Sequence, residues 1–203
     1  MPESRPVVAI MASGSGTNAE NLLSYAQIKK TYNVACVITD KVDAGVITRC
    51  EKYSVDCYVV PYEKSKELSH LEAKTIHESK ILNILESNKI EWVFLAGYMR
   101  ILSADFISKY WDEQKEKSKI INIHPALLPS FPGKDAYEQA WDSGVEQSGV
   151  TVHHVDSGID TGPIIIQESF QRKKEDNLQS FKARGLEVEY KLYKKAIDQL
   201  FAT

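Results

Sequence analysis

Short apolar runs rich in Val and Ile recur along the 203-residue chain, and longer amphipathic stretches separate the first five of them. That alternation leaves few folds open, because strands joined by helices pair in parallel and the helices then cover the sheet. Residues 7–11, 34–39, 57–60, 92–96 and 119–123 read as the first five strands, with 150–155 and 163–170 as a later pair. Helices are expected over 18–32, 44–53, 67–87 and 103–110. A last helix over 177–201 carries an apolar stripe of Leu178, Phe181, Val188, Leu192, Ala196 and Leu200. The reading is α/β with a mainly parallel sheet. The chain is long enough for one sizeable core, and no repeat, low-complexity segment or Gly/Ser linker divides it. One domain over 1–203 is expected, its N-terminal half of nucleotide-binding type and its C-terminal half catalytic. The charge-rich segment 112–119 reads as a solvated loop.

A net charge of −3 offers no field for nucleic acid or a membrane, so neither is expected as the main partner, and an anionic ligand needs a local site. Cys36, Cys50 and Cys57 form no CxxC pair and do not cluster with histidine, which points to free thiols in a reducing compartment. The start, Met1 to Pro6, lacks the apolar core of a secretory signal, and no apolar run is long enough to span a bilayer. The expected location is cytoplasmic. The histidines show no metal-ligand spacing, and no metal is expected.

Chemistry concentrates in two places. In Ile120-Ile121-Asn122-Ile123-His124-Pro125, Asn122 and His124 alternate and so point to one side of a strand. Pro125 keeps His124 out of helical dihedrals, and a stiff loop rich in proline follows to Gly133. Ser157-Gly158-Ile159-Asp160-Thr161-Gly162-Pro163 then offers a carboxylate, which beside His124 would raise the imidazole pKa. An amide, an imidazole and a carboxylate suit group transfer without a metal or a nucleophilic Ser or Cys. His153 and His154 must face opposite ways on one strand, so they are not a chelating pair.

The second place is Ser13-Gly14-Ser15-Gly16-Thr17-Asn18, between the first strand and the first helix. Backbone N–H groups there suit an anion. The loop lacks both the Gly-Lys-Ser/Thr of a nucleotide triphosphate loop and the third glycine of the dinucleotide fingerprint, which favours a monophosphate. A tight turn capped by Thr17 or Asn18 is the plainer alternative. Glu189, near the stripe of the last helix, is either an edge carboxylate or an acceptor for sugar hydroxyls.

Gly14 to Asn18, Leu95-Ala96-Gly97-Tyr98-Met99-Arg100-Ile101-Leu102, Asn122-Ile123-His124-Pro125 with Leu127-Leu128-Pro129, and Asp160-Thr161-Gly162-Pro163 occur in this order. Together they resemble the phosphoribosylglycinamide formyltransferases of purine synthesis, of the stand-alone kind, over nearly the whole chain. The resemblance implies a Rossmann-like formyltransferase fold: a mostly parallel twisted sheet of about seven strands flanked by helices, with an antiparallel strand near the C-terminus. It implies formyl transfer from 10-formyltetrahydrofolate to the amine of glycinamide ribonucleotide, with both small molecules as partners, no metal, and a monomer or homodimer. His124 would be the general acid/base, Asn122 the donor to the oxyanion, and Asp160 the residue that holds His124 charged and orders a relay water. Gly16, Thr17 and Asn18 would bind the phosphate and Glu189 the ribose, while Met99, Arg100, Ile101, Leu102, Asp156, Ser157, Gly158 and Ile159 would line the folate slot. Two departures stand out. Lys74 occupies the place of a common substrate-binding Arg and lacks its bidentate fork, and Lys134-Asp135-Ala136-Tyr137 lacks the histidines often found there.

The alternatives within enzymes are sibling reactions: hydrolysis of formyl-folate, and formylation of a sugar amine or an aminoacyl-tRNA. A hydrolase is expected to carry a further regulatory domain and a tRNA enzyme a further basic one. A catalytically silent sensor of phosphoribosyl metabolites would need the glycine loop but not Asn122, His124 and Asp160 together.

Overall fold

The computed structural model describes residues 5–63 and 67–201, so Met1 to Ser4 of the start read above lie outside the described residues. The chain divides into two compact units, Met1–Tyr110 and Trp111–Thr203.

In the first unit, β1 (Val7–Met11), β2 (Asn33–Thr39), β3 (Asp56–Val59) and β4 (Trp92–Leu95) pair in parallel in the order β3-β2-β1-β4. Helices α1 (Thr17–Lys29), α2 (Val46–Tyr53), α3 (His70–Ser87) and α4 (Ala104–Ser108) connect and follow them. Val8, Ala9, Ile10, Met11, Val93 and Phe94 are sealed from solvent along their whole length. Parallel strands covered on both faces lose the in–out alternation and read as continuous apolar runs, which is why the sequence marks them clearly. Helix α3 starts where Ser69 accepts from the Glu72 N–H at 3.2 Å and the Glu72 carboxylate accepts from the Ser69 N–H at 2.8 Å, a reciprocal cap.

The second unit opens with a small hairpin, β5 (Trp111–Asp112) against β6 (Lys117–Ser118). The segment read as a loop is therefore a two-residue ladder, tightened by Asp112 accepting from the Gln114 and Lys115 N–H groups. Strand β7 (Ile120–His124) is followed by helix α5 (Ala136–Asp142), strands β8 (Gln147–His154) and β9 (Ile164–Gln171), and helix α6 (Leu178–Phe201). Here the pairing is antiparallel, in the order β7-β8-β9. Along α6 the buried positions are Phe181, Gly185, Glu189, Leu192, Tyr193, Ala196 and Ile197. The buried face thus includes a glycine and a carboxylate that an apolar count passes over, while Val188 and Leu200 lie half-buried at its edges.

Candidate active site

Strand β7 delivers Asn122 and His124 to one side, as the alternation required, and both reach Asp160. His124 Nδ1 lies 3.2 Å from Asp160 Oδ2, and Asn122 Nδ2 donates to Oδ1 at 3.3 Å. Antiparallel pairing sets His153 directly opposite Asn122, and its Nε2 lies 3.4 Å from Asp160 Oδ1 and 3.3 Å from Asn122 Nδ2. One carboxylate thus faces two imidazoles and an amide. The backbone completes the arrangement, with the Gly133 N–H donating to Asp160 Oδ2 at 2.8 Å. His124 Nε2 donates to the Phe131 carbonyl at 2.8 Å, since a carbonyl can only accept. By the same logic His153 Nδ1 donates to the His154 carbonyl at 2.9 Å, while His154 turns away and donates to the Ser118 carbonyl at 2.7 Å. The two adjacent histidines face opposite ways, as expected.

Local backbone explains how these groups converge. Asp160 and Phe131 both have positive φ, 54° and 53°. An aspartate tolerates this conformation, but a bulky Phe in it costs energy that the surrounding loop must hold. Gly162 is sterically required, because a Cβ there would come 1.8 Å from the His154 carbonyl oxygen.

His124 is 4% exposed, and burial, the largest influence, pulls its pKa below 6.5 against the opposing charge of Asp160 and the Phe131 carbonyl. The expectation that Asp160 sets a raised pKa is corrected here: Asp160 does act upward, but loss of water outweighs it. For Asp160 burial pushes upward, yet His153, the Gly133 N–H and His124 together hold the carboxyl below 3.8. The free site therefore pairs a carboxylate with an imidazole that is neutral at pH 7.

The other expected residues of this unit lie in two groups. Asp156 accepts from the Gly158 N–H at 3.1 Å and the Thr161 hydroxyl at 2.7 Å, which leaves Ser157, Gly158 and Ile159 exposed at the tip of the loop that carries Asp160. Glu189, 6% exposed on α6, accepts from the Tyr137 hydroxyl at 2.5 Å and is not brought to the Asp160 cluster by any described contact.

In the first unit the glycine loop follows β1. Gly16 is the N-cap of α1, with φ 72° and no side-chain cap, so Thr17 and Asn18 are the first helical residues rather than caps. Backbone N–H groups in the first turn of a helix are the donors that suit an anion. Arg49 on α2 donates to the Ser15 carbonyl at 2.6 Å and bonds Glu20, holding the loop from behind. The loop is tied to the end of β4: Ser13 N–H donates to the Gly97 carbonyl at 3.0 Å, and Met99 N–H to Ser13 Oγ at 2.9 Å. Met99 and Ile101 stand 67% and 57% exposed beside it, a ledge suited to a flat ring, whereas Leu102 points into the core. Arg100 is engaged elsewhere, donating to Asp40 at 2.7 Å with its guanidinium over the Tyr62 ring. Lys74 on α3 lies 4.0 Å from Glu78, which accepts from the Ser103 N–H at 2.8 Å just beyond the ledge.

Sequence reasoning did not single out His153 as a partner of Asp160, nor the Phe131 carbonyl and Gly133 N–H. For His153 the signal was its strand-mate's alternation, which says that one of two histidines shares a face with Asn122 but not which one. Among the described residues no group of His, Cys, Asp or Glu could hold a metal ion, and no helix is long and apolar enough to cross a membrane.

Residues 7–197 match the sequence profile described as formyl transferase. A phosphoribosylglycinamide formyltransferase of Bacillus subtilis (strain 168) is 37% identical over 193 residues, covering 95% of this chain and 93% of that protein. The crystal structure of a phosphoribosylglycinamide formyltransferase from Streptococcus pneumoniae TIGR4 is similar with a TM-score of 0.82 at 39% identity, covering 97% of this chain and 99% of that one. That of the Bacillus halodurans enzyme gives 0.86 at 37% identity, covering 97% and 96%.

Proposed function

The chain belongs to the formyl transferase family, and we propose that within it the protein transfers the formyl group of 10-formyltetrahydrofolate to the amine of glycinamide ribonucleotide, in purine synthesis. It has the Rossmann-like fold of these enzymes, with a parallel N-terminal part and antiparallel strands toward the C-terminus. The family profile runs through both units, which supports their acting as a single formyltransferase domain. The observation that carries the reading is the junction of Asn122, His124 and Asp160 on a single carboxylate.

The folate supplies an activated formyl carbon and, as leaving group, a nitrogen that must gain a proton. The attacking amine must lose one, so the site needs a group that takes a proton and returns it. His124 is that group. Neutral in the free site, it moves its single proton from Nε2 to Nδ1, facing Asp160, when Nε2 leaves the Phe131 carbonyl, so that Nε2 accepts the amine's proton and passes one to the departing nitrogen. Its Nε2 reaches substrate only when the Phe131 carbonyl gives way, and that carbonyl is held by a residue in a costly conformation. Asp160 stabilises the imidazolium that forms. Asn122 donates to the developing oxyanion by releasing one of its 3.3 Å contacts, both long enough to exchange cheaply.

Gly16, Thr17 and Asn18 hold the substrate phosphate, with Lys74 as a supporting cation and Glu189 as acceptor for ribose hydroxyls. For the folate, the first unit offers the apolar ledge of Met99 and Ile101 with Arg100 and Leu102 beneath it, and the second unit offers the polar loop of Asp156, Ser157, Gly158 and Ile159. A cytoplasmic location is supported by three free thiols, Cys36, Cys50 and Cys57. The test is an absorbance assay of 10-formyltetrahydrofolate consumption with and without glycinamide ribonucleotide. Amine-dependent loss of the formyl group is the expected result. Loss without the amine would make the protein a hydrolase, and no loss at all would discard transfer to this amine.

A further inference from the structure

Glu189 does not stand alone on α6. One turn before it is Gly185 and one turn before that Phe181, so the three share one face at intervals of four residues. Tyr137, from the first turn of α5, lies across this face. Its ring meets Phe181 edge-on, with centroids 6.2 Å apart and planes at 84°, and its hydroxyl donates to Glu189 Oε1 at 2.5 Å. Phe181 itself is anchored in the core with Ala140 and Phe170.

The glycine shows what the face is built for. Gly185 sits in the interior of a long helix without a positive φ, where glycine is a poorer helix former than alanine. A Cβ at that position would lie 2.3 Å from the Tyr137 hydroxyl oxygen and 2.4 and 2.5 Å from its ring carbons. The helix therefore gives up a good helix former at the one place where a side chain would push the phenol off Glu189. Burial, then the charge of Glu189, raise the Tyr137 pKa far above its ordinary 10, so the phenol stays a donor at every working pH.

We propose that Tyr137 is a positioning residue for substrate recognition: seated over Gly185, it fixes the rotamer and orientation of the Glu189 carboxylate so that this group meets ribose hydroxyls without first being ordered. The inference rests on the reading of Glu189 as the ribose acceptor. A carboxylate already locked by a charge-assisted hydrogen bond loses less side-chain freedom on binding, which appears as affinity for the ribonucleotide rather than as rate. Tyr137 therefore acts on KM for one substrate only.

The experiment compares steady-state kinetics of the intact protein, Tyr137→Phe, Glu189→Gln and the double variant, with both substrates varied and thermal melts confirming folding. Tyr137→Phe keeps the ring on Gly185 and Phe181 and removes only the donor. It is expected to raise KM for glycinamide ribonucleotide about 3- to 10-fold, the worth of one such bond. KM for 10-formyltetrahydrofolate and kcat should stay within about twofold. Adding Tyr137→Phe to Glu189→Gln should raise KM no further, because the phenol works through the carboxylate. If Glu189→Gln raises KM while Tyr137→Phe leaves it unchanged or lowers it, the positioning role is overturned and the ribose reading stands. If Tyr137→Phe lowers kcat alike for both substrates, its role is structural and the proposal is lost. If Glu189→Gln leaves KM unchanged, the ribose reading fails and the proposal falls with it.

Discussion

His124 faces two oxygens that only accept, the Phe131 carbonyl and the Asp160 carboxylate, yet burial keeps it from holding two protons at neutral pH. The tension suits a group that must gain a proton during the reaction and lose it again. It also fixes a sign. Since the His124 pKa lies below 6.5, the acid limb of kcat/KM for the intact protein should fall below that pH. Asp160→Asn removes the charge that raises His124, so its acid limb should move to still lower pH, with kcat reduced by about 10²–10⁴. A limb that stays in place or moves upward in the pH profile would show that Asp160 does not govern His124. The shared side of Asn122 and His124 was legible from alternation alone. The Phe131 carbonyl and Gly133 N–H were not, because backbone groups carry no side-chain signature, and which histidine joined Asp160 depended on strand register.

The glycine loop and α1 form one device, in which the helix begins at Gly16, a residue with left-handed backbone and no capping side chain. Gly16→Ala would force a side chain into that conformation and set its Cβ 2.5 Å from the Val46 Cβ. The cost should be about 1–2 kcal/mol from the backbone alone, read by urea unfolding, together with a raised KM for the phosphorylated substrate. Unchanged stability and KM would remove the loop from the binding reading. Other elements were less legible. Helix α5 escaped notice because Ala136–Asp142 is barely two turns, and its partners Phe181 and Gly185 lie far along the chain. Strand β8 begins at Gln147, ahead of the apolar residues, because pairing of Gln147 with Gln171 and Ser148 with Phe170 extends it.

Three buried histidines, His77, His124 and His154, all have pKa values drawn below 6.5 chiefly by burial. Unfolding restores their ordinary value, so below 6.5 the unfolded chain binds protons that the folded chain refuses. Their contribution is complete above pH 6.5 and is lost as pH falls below it through the folded values. Melting temperature should hold between pH 8 and 7 and decline as pH falls below about 6.5, and His77→Asn should blunt the decline. A melting temperature flat to pH 5 would refute this account. Periodicity alone located the apolar strands β1 to β4 and β7 to β9, the long helices, the α/β class and the face shared by Asn122 and His124, because those are local consequences of side-chain direction. Only tertiary structure decided the rest: which histidine meets Asp160, that burial overrides Asp160 in setting His124, and that Tyr137 reaches Glu189 across Gly185. These depend on contacts between residues distant in sequence and on the loss of water, and neither has a period.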